Sequence, residues 1–161
     1  TLAGHWPPYR FAELLNILGR EYAADASVPA TYPILAVERN NHGLAVVEAL
    51  QNVWDYQNLY VTRKRDRHGR VTKTVVGWVT DSASRPIMFE HLRTAVADES
   101  FYTEDEEWNE EAATFTEDAQ GRPSGEGEAR DDLICASAIA WEAREQFPSI
   151  RGARRTAPLS R

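Results

Sequence analysis

The order of apolar patterns along this chain predicts an α/β fold, a mixed β-sheet flanked by helices. Three observations carry that expectation. Phe11, Leu14, Leu15 and Leu18 recur at helical spacing. Pro33-Ile34-Leu35-Ala36-Val37 is a short, nearly all-apolar run that delivers Glu38 at its end, as a strand covered on both faces does. Leu44, Val47 and Leu50 then resume the helical period before Asn58-Leu59-Tyr60-Val61-Thr62 reads as a second strand. Alternation of strand and helix implies parallel pairing with right-handed crossovers.

The elements follow in order. Trp6-Pro7-Pro8-Tyr9 opens the first helix, since proline is tolerated in a first turn, and the apolar period carries it over 8–24. Residues 23–33 form a loop with two prolines. Asn40-Asn41-His42-Gly43 is a turn into the second helix, which runs to about residue 54. Arg67-His68-Gly69-Arg70 is a hairpin tip, and 71–80 returns as a β-rich run. Pro86 lies in the first turn of a helix carrying Ile87, Phe89, Leu92, Ala95 and Val96. Residues 99–118 read as a solvated acidic face with Phe101, Tyr102, Trp108 and Phe115 as isolated anchors. A Gly/Pro-rich loop over 121–128 precedes a last helix from near Asp131 to about Gln146, which Phe147-Pro148 ends. The expected organisation is one domain over 1–146 and a basic, flexible tail over 147–161.

Bulk properties narrow the function classes. The chain has 161 residues, which suits one domain with a real core. Its 42% hydrophobic and 27% charged content is ordinary for a soluble protein. No apolar stretch approaches the roughly 20 residues of a membrane helix. No basic-then-apolar leader opens the chain, so a cytoplasmic location and no membrane partner are expected. Cys135 is the sole cysteine, which excludes an internal disulfide, a cysteine zinc site and a redox pair. It reads as a buried structural thiol. Without a glycine-rich phosphate loop, nucleotide hydrolysis by this chain is not expected. The net charge of −7 argues against a generic nucleic-acid coat protein. The charge is uneven, however. Residues 63–73 hold six bases and one acid, and residues 98–118 hold ten acids and no base. A chain of this kind can offer one basic face to phosphate.

Two acidic stations stand out. Glu38 closes the apolar run, where ligands of parallel α/β sheets bind. Its bland reading is a surface carboxylate at a strand end. Asp131 and Asp132 precede the apolar run Leu133 to Ala140. Acid is welcome at a helix N-terminus for its dipole and free N–H groups alone, which explains one Asp more easily than two. Together the stations offer the oxygen ligands a divalent metal needs. Asn40 and Asn41 serve the turn, orient a carboxylate or touch a phosphate. His42 is a base, a phosphate contact or a helix cap. His5, His68 and His91 lack zinc-site spacing. Arg63, Lys64, Arg65, Arg67 and Arg70 form a basic hairpin, either solvated or placed against a phosphate backbone.

Taken in order, these features resemble the nuclease domain of phage large terminase subunits. The residues that carry the resemblance are Trp6-Pro7-Pro8 with Phe11, Val37-Glu38-Arg39-Asn40-Asn41-His42-Gly43, and Asn58-Leu59-Tyr60. Gly77-Trp78 with Thr80, the Pro86 helix, and Asp131-Asp132-Leu133 with Ala136 and Ala140 complete them. They span roughly residues 4–144. The resemblance implies a ribonuclease H-like fold and cleavage of double-stranded DNA with two Mg²⁺ or Mn²⁺ ions. It implies Glu38 and Asp131 or Asp132 as ligands. It also implies the terminase ATPase portion, the small terminase subunit and the portal as partners in a bacterial host cell. The family places a further essential Asp on its first strand, before the Pro8 helix. Thr1 to Trp6 contain no acid, so the domain is expected to lack its first strands here, and the fragment to be poorly active. The family often has His before the Asp pair; here Arg130 stands there, to repel metal or contact phosphate. Two other readings stay open: a non-catalytic DNA- or portal-binding module of the same fold, and another ribonuclease H-like enzyme such as a junction resolvase.

Overall fold

The computed structural model describes residues 4–25, 27, 32–40, 42–117, 123–125 and 131–144. They form a mixed α/β structure with five helices. In chain order these elements are α1 (Pro8–Glu21), α2 (Gly43–Asn52), β1 (Val61–Arg65), β2 (Val71–Val76) and α3 (Ser84–Ala97). There follow α4 (Glu106–Ala113), β3 (Phe115–Glu117), β4 (Pro123–Gly125) and α5 (Asp132–Ala143). β1 and β2 pair antiparallel, as do β3 and β4. The tail expected over 147–161 lies outside the described residues. No helix among the described residues is long and apolar enough to cross a membrane.

The strand expected over 33–38 is an extended segment rather than a regular strand. It pairs parallel through single bridges, Leu35 with Leu59 and Glu38 with Trp78. Leu35 N donates to Asn58 O and Tyr60 N to Leu35 O, both at 3.0 Å. Further along, Trp78 N donates to Val37 O at 2.8 Å and Arg39 N to Trp78 O at 2.9 Å. The segment therefore changes partner midway, so neither ladder grows long. Gly77 makes the exchange possible. Its φ of +95° suits glycine, and an added Cβ would lie 3.0 Å from Val37 O.

Alternation along this segment divides the interior in two. Leu35 and Val37 pack with Ala12, Val46, Leu50 and Tyr56, the core between α1 and α2. Ala36 packs with Trp78, Phe89, Leu92, Ile134 and Ala138, the core built on α3 and α5. Successive side chains of an extended chain point to opposite faces. Each residue of 33–39 is thus only half-buried, although both faces of the segment are covered. Glu38 has the parity of Ala36 and belongs to the α3–α5 face.

The acidic stretch is more structured than its composition implies. Asp105 caps α4 by accepting from Trp108 N at 3.0 Å. Trp108 and Ala112, four residues apart, pack on the α3–α5 core. Glu111 accepts from Ile134 N at 2.7 Å, so α4 caps α5. The glutamates between these anchors hide the helical period from a reading of hydrophobicity alone.

Gly43 fixes how α2 leaves the segment. A Cβ there would stand 1.7 Å from Glu38 O, so only glycine lets the helix start this close to the backbone of Glu38. Gly43→Ala should lower the unfolding free energy by roughly 2 kcal/mol or more, as a backbone collision does. Urea denaturation measures it, and a variant as stable as the parent would contradict the packing.

Candidate functional site

Glu38 sits where the extended segment ends, on the α3–α5 face. Asn40 Nδ2 donates to its Oε1 at 3.0 Å, so one asparagine of the turn orients the carboxylate. Asn41 and Arg130 lie outside the described residues. His42 is exposed and makes no side-chain cap, although its carbonyl accepts the first bonds of α2.

Asp131 precedes α5, but its carboxylate does not cap the helix. That task falls to Glu111. Asp131 Oδ2 instead accepts from Arg85 Nη2 at 2.7 Å. The same guanidinium lies 3.7 Å from Cys135 Sγ through Nη1 and over the Phe89 ring. Asp132 is exposed in the first turn of α5, where the helix dipole accounts for it.

Cys135 reports how these groups converge. It is half-buried, and burial, then the Asp131 charge and more weakly Glu38, push its thiol up from 9.0 to about 12, against the Arg85 guanidinium. The sequence reading of Cys135 as a plainly buried thiol misses this. It also misses Arg85. The available signal was a base in the first turn of a helix, where the dipole disfavours positive charge and an acidic partner is called for.

The basic hairpin is formed by β1 and β2. Arg63, Lys64, Arg65, Arg67 and Arg70 are all exposed. Lys64 faces Lys73 across the strands, a like-charge pair that an anion would relieve. Lys64 Nζ also lies 3.9 Å from Asp81 Oδ2. Asp66 holds the turn, accepting from the amides of His68 and Arg70 and pairing with Arg70 Nε at 3.1 Å. Those bonds hold the Asp66 carboxyl below the usual range. Arg65 donates to Gly69 O. Arg63 and Arg67 have no ion-pair partner among the described residues. A cleft of about 380 Å³ runs between the hairpin root and the start of α3, lined by Arg63, Lys64, Trp78 and Ser84 among others. Trp78, whose backbone bridges to Glu38, and Ser84, which precedes Arg85, are part of its lining; Glu38, Arg85, Asp131 and Cys135 are not. A larger cavity of about 880 Å³ follows α3 and α4. It is mostly apolar and includes neither Glu38 nor Asp131.

Among the described residues, no group of three or more His, Cys, Asp or Glu side chains is arranged to hold a metal ion. His91 pairs with Glu142 between α3 and α5 at 2.6 Å. In comparison with known proteins, no family model matches the chain, and neither a curated protein nor a solved structure matches it.

The Cys135 shift has a defined sign. A raised thiol pKa stabilises the folded state below the ordinary value of 9.0, and that contribution is lost as pH rises toward about 12. Asp131→Asn removes a charge that raises it, so thiolate should form at lower pH than in the parent. Alkylation rate against pH measures this; an unmoved profile would separate Asp131 from the sulfur.

Proposed function

We propose that this chain is a metal-dependent endonuclease domain acting on double-stranded DNA. In this reading it is of the ribonuclease H-like type found in large terminase subunits. One observation carries the reading. Glu38 ends a parallel-paired segment whose partner Trp78 also lines the cleft that Arg63 and Lys64 share.

Glu38 and Asp131 would hold one Mg²⁺ or Mn²⁺. Such an ion supplies an activated water and neutralises charge on the leaving oxygen. The chain's own residues do the rest. Asn40 fixes the direction of the Glu38 carboxylate. Arg63 and Lys64 line the cleft and hold the phosphate backbone without reading bases. Asp132 faces solvent at the edge of the cluster. On this reading the partners are the ATPase portion, the small subunit and the portal of a packaging motor, in the cytoplasm of a bacterial host.

A second reading, a non-catalytic DNA- or portal-binding module, is favoured by the Arg85–Asp131 ion pair. A carboxylate already neutralised by a guanidinium does not require a metal.

Nicking of supercoiled plasmid with Mn²⁺ tests the enzyme. Glu38→Ala should reduce it by roughly a hundredfold or more, since even a residue that only orients a ligand is worth ten- to a hundredfold. Unchanged nicking would remove Glu38 from the chemistry, and a parent that binds DNA but never cuts would favour the second reading. Replacing Arg63, Lys64 and Arg65 together by glutamine should flatten the dependence of log K on log salt by about 0.9 for each phosphate no longer neutralised. An unchanged slope would take the hairpin out of the DNA path.

A further inference from the structure

The cleft at the root of the hairpin differs from an ordinary basic surface in having an aromatic wall. Arg63 and Lys64 bring positive charge to it, and Tyr60 and Trp78 line it with them. The backbone of Tyr60 is pinned twice: Tyr60 N donates to Leu35 O at 3.0 Å, and Gly77 N donates to Tyr60 O at 2.7 Å. Its ring lies 5.4 Å from that of Trp78, tilted by 49°. The Trp78 indole is fixed in turn, donating to Thr80 Oγ1 at 3.1 Å. Trp78 is buried, whereas Tyr60 is only half-buried. Asp81, the acid of the lining, is turned to the start of α3, where its Oδ1 accepts from the amides of Ala83 and Ser84. At about 380 Å³ the cleft is at the small end of the roughly 300–1,000 Å³ of ligand pockets. It has room for one nucleotide and none for a duplex.

We infer that this cleft is a slot for one unpaired nucleotide of a DNA strand, with its base stacked on Tyr60 and its phosphate held by Arg63 and Lys64. This rests on the reading of the hairpin as part of a DNA path, and it names the form of DNA that enters there. Three physical points support it. Contacts to phosphate need charge and no ring, so the aromatic wall adds a surface that a backbone contact does not use. Stacking on an aromatic ring accepts any base, because every base has a π-face. Such tolerance suits a lining that carries no set of groups for reading base edges. The two faces of a paired base are already covered by its neighbours in the duplex, so only an unpaired nucleotide gains from Tyr60. A ring whose backbone is pinned on both sides is also ready before the strand arrives, and little freedom is lost on binding.

The test is fluorescence anisotropy with the full 161-residue chain and three labelled probes of equal length. That length is about twelve nucleotides, within the site sizes that bound single strands occupy. The probes are an oligothymidylate, an abasic strand with the same phosphates and no bases, and a duplex. The oligothymidylate should bind roughly tenfold more tightly than the abasic strand, as one stacked base provides, and Tyr60→Leu should remove that difference. If the parent binds the duplex but treats the two single strands alike, the slot is overturned while the DNA path stands. If it binds none of the three, the DNA path fails and the slot with it. If Tyr60→Leu keeps the parent's preference for bases, the ring is not the stacking surface and the slot is overturned. Tyr60 also packs on the α3–α5 core, so circular dichroism reports whether Tyr60→Leu folds. Should it fail to fold, photocrosslinking of the parent replaces it. A strand carrying 5-iododeoxyuridine, irradiated in the complex and mapped by mass spectrometry, should join to Tyr60, and adducts only at other residues overturn the slot.

Discussion

The chain's architecture depends on one constraint, the strict alternation of side chains along the extended segment from Leu35 to Arg39. Leu35 and Val37 complete the core between α1 and α2, and Ala36 completes the core of α3 and α5. The same parity assigns Glu38 to the α3–α5 side, where Asp131 and Cys135 lie. A one-residue slip would exchange the faces, burying the carboxylate side against α1 and α2. Register is held from both ends. Leu35 is bonded to Asn58 and Tyr60, and Val37 and Arg39 are bonded to Trp78. Gly43 then lets α2 depart directly over the carbonyl of Glu38. Position of the acid is therefore a consequence of core packing, not of any contact made by the acid itself.

Electrostatics complete what packing begins. A base in the first turn of a helix is disfavoured by the dipole, and Arg85 is placed there nonetheless. Its bond to Asp131 joins α3 to α5 at their N-terminal ends. With Glu111 capping α5 from α4, Asp131 is released from the capping role that its position implies. One carboxylate is thereby kept for an interaction across the cluster. Arg63, Lys64 and Arg65 give the cleft at the hairpin root a basic lining in a chain of net charge −7.

Much of this was legible in the sequence, for physical reasons that can be named. α1, α2, α3 and α5 announce themselves because their apolar residues recur with a helical period, and Pro8 and Pro86 mark two of the starts. The position of Glu38 at the end of the extended segment was legible because the apolar run stops there. Other features were not. α4 hides because six glutamates and aspartates between 104 and 111 mask Trp108 and Ala112. The 33–38 segment reads as a continuous strand, since pattern alone does not reveal that its partner changes between Leu59 and Trp78. Arg85 was legible only as a base out of place in a first helical turn, because its partner Asp131 lies 46 residues away.

The proposed function, a metal-dependent nuclease, makes Glu38 and Asp131 the ligands of one ion. The most direct measurement is a crystal structure grown with Mn²⁺ and analysed for anomalous scattering. The account predicts an anomalous peak bound by Glu38 and Asp131. No peak at that position, with the Arg85–Asp131 pair intact at saturating Mn²⁺, would contradict it.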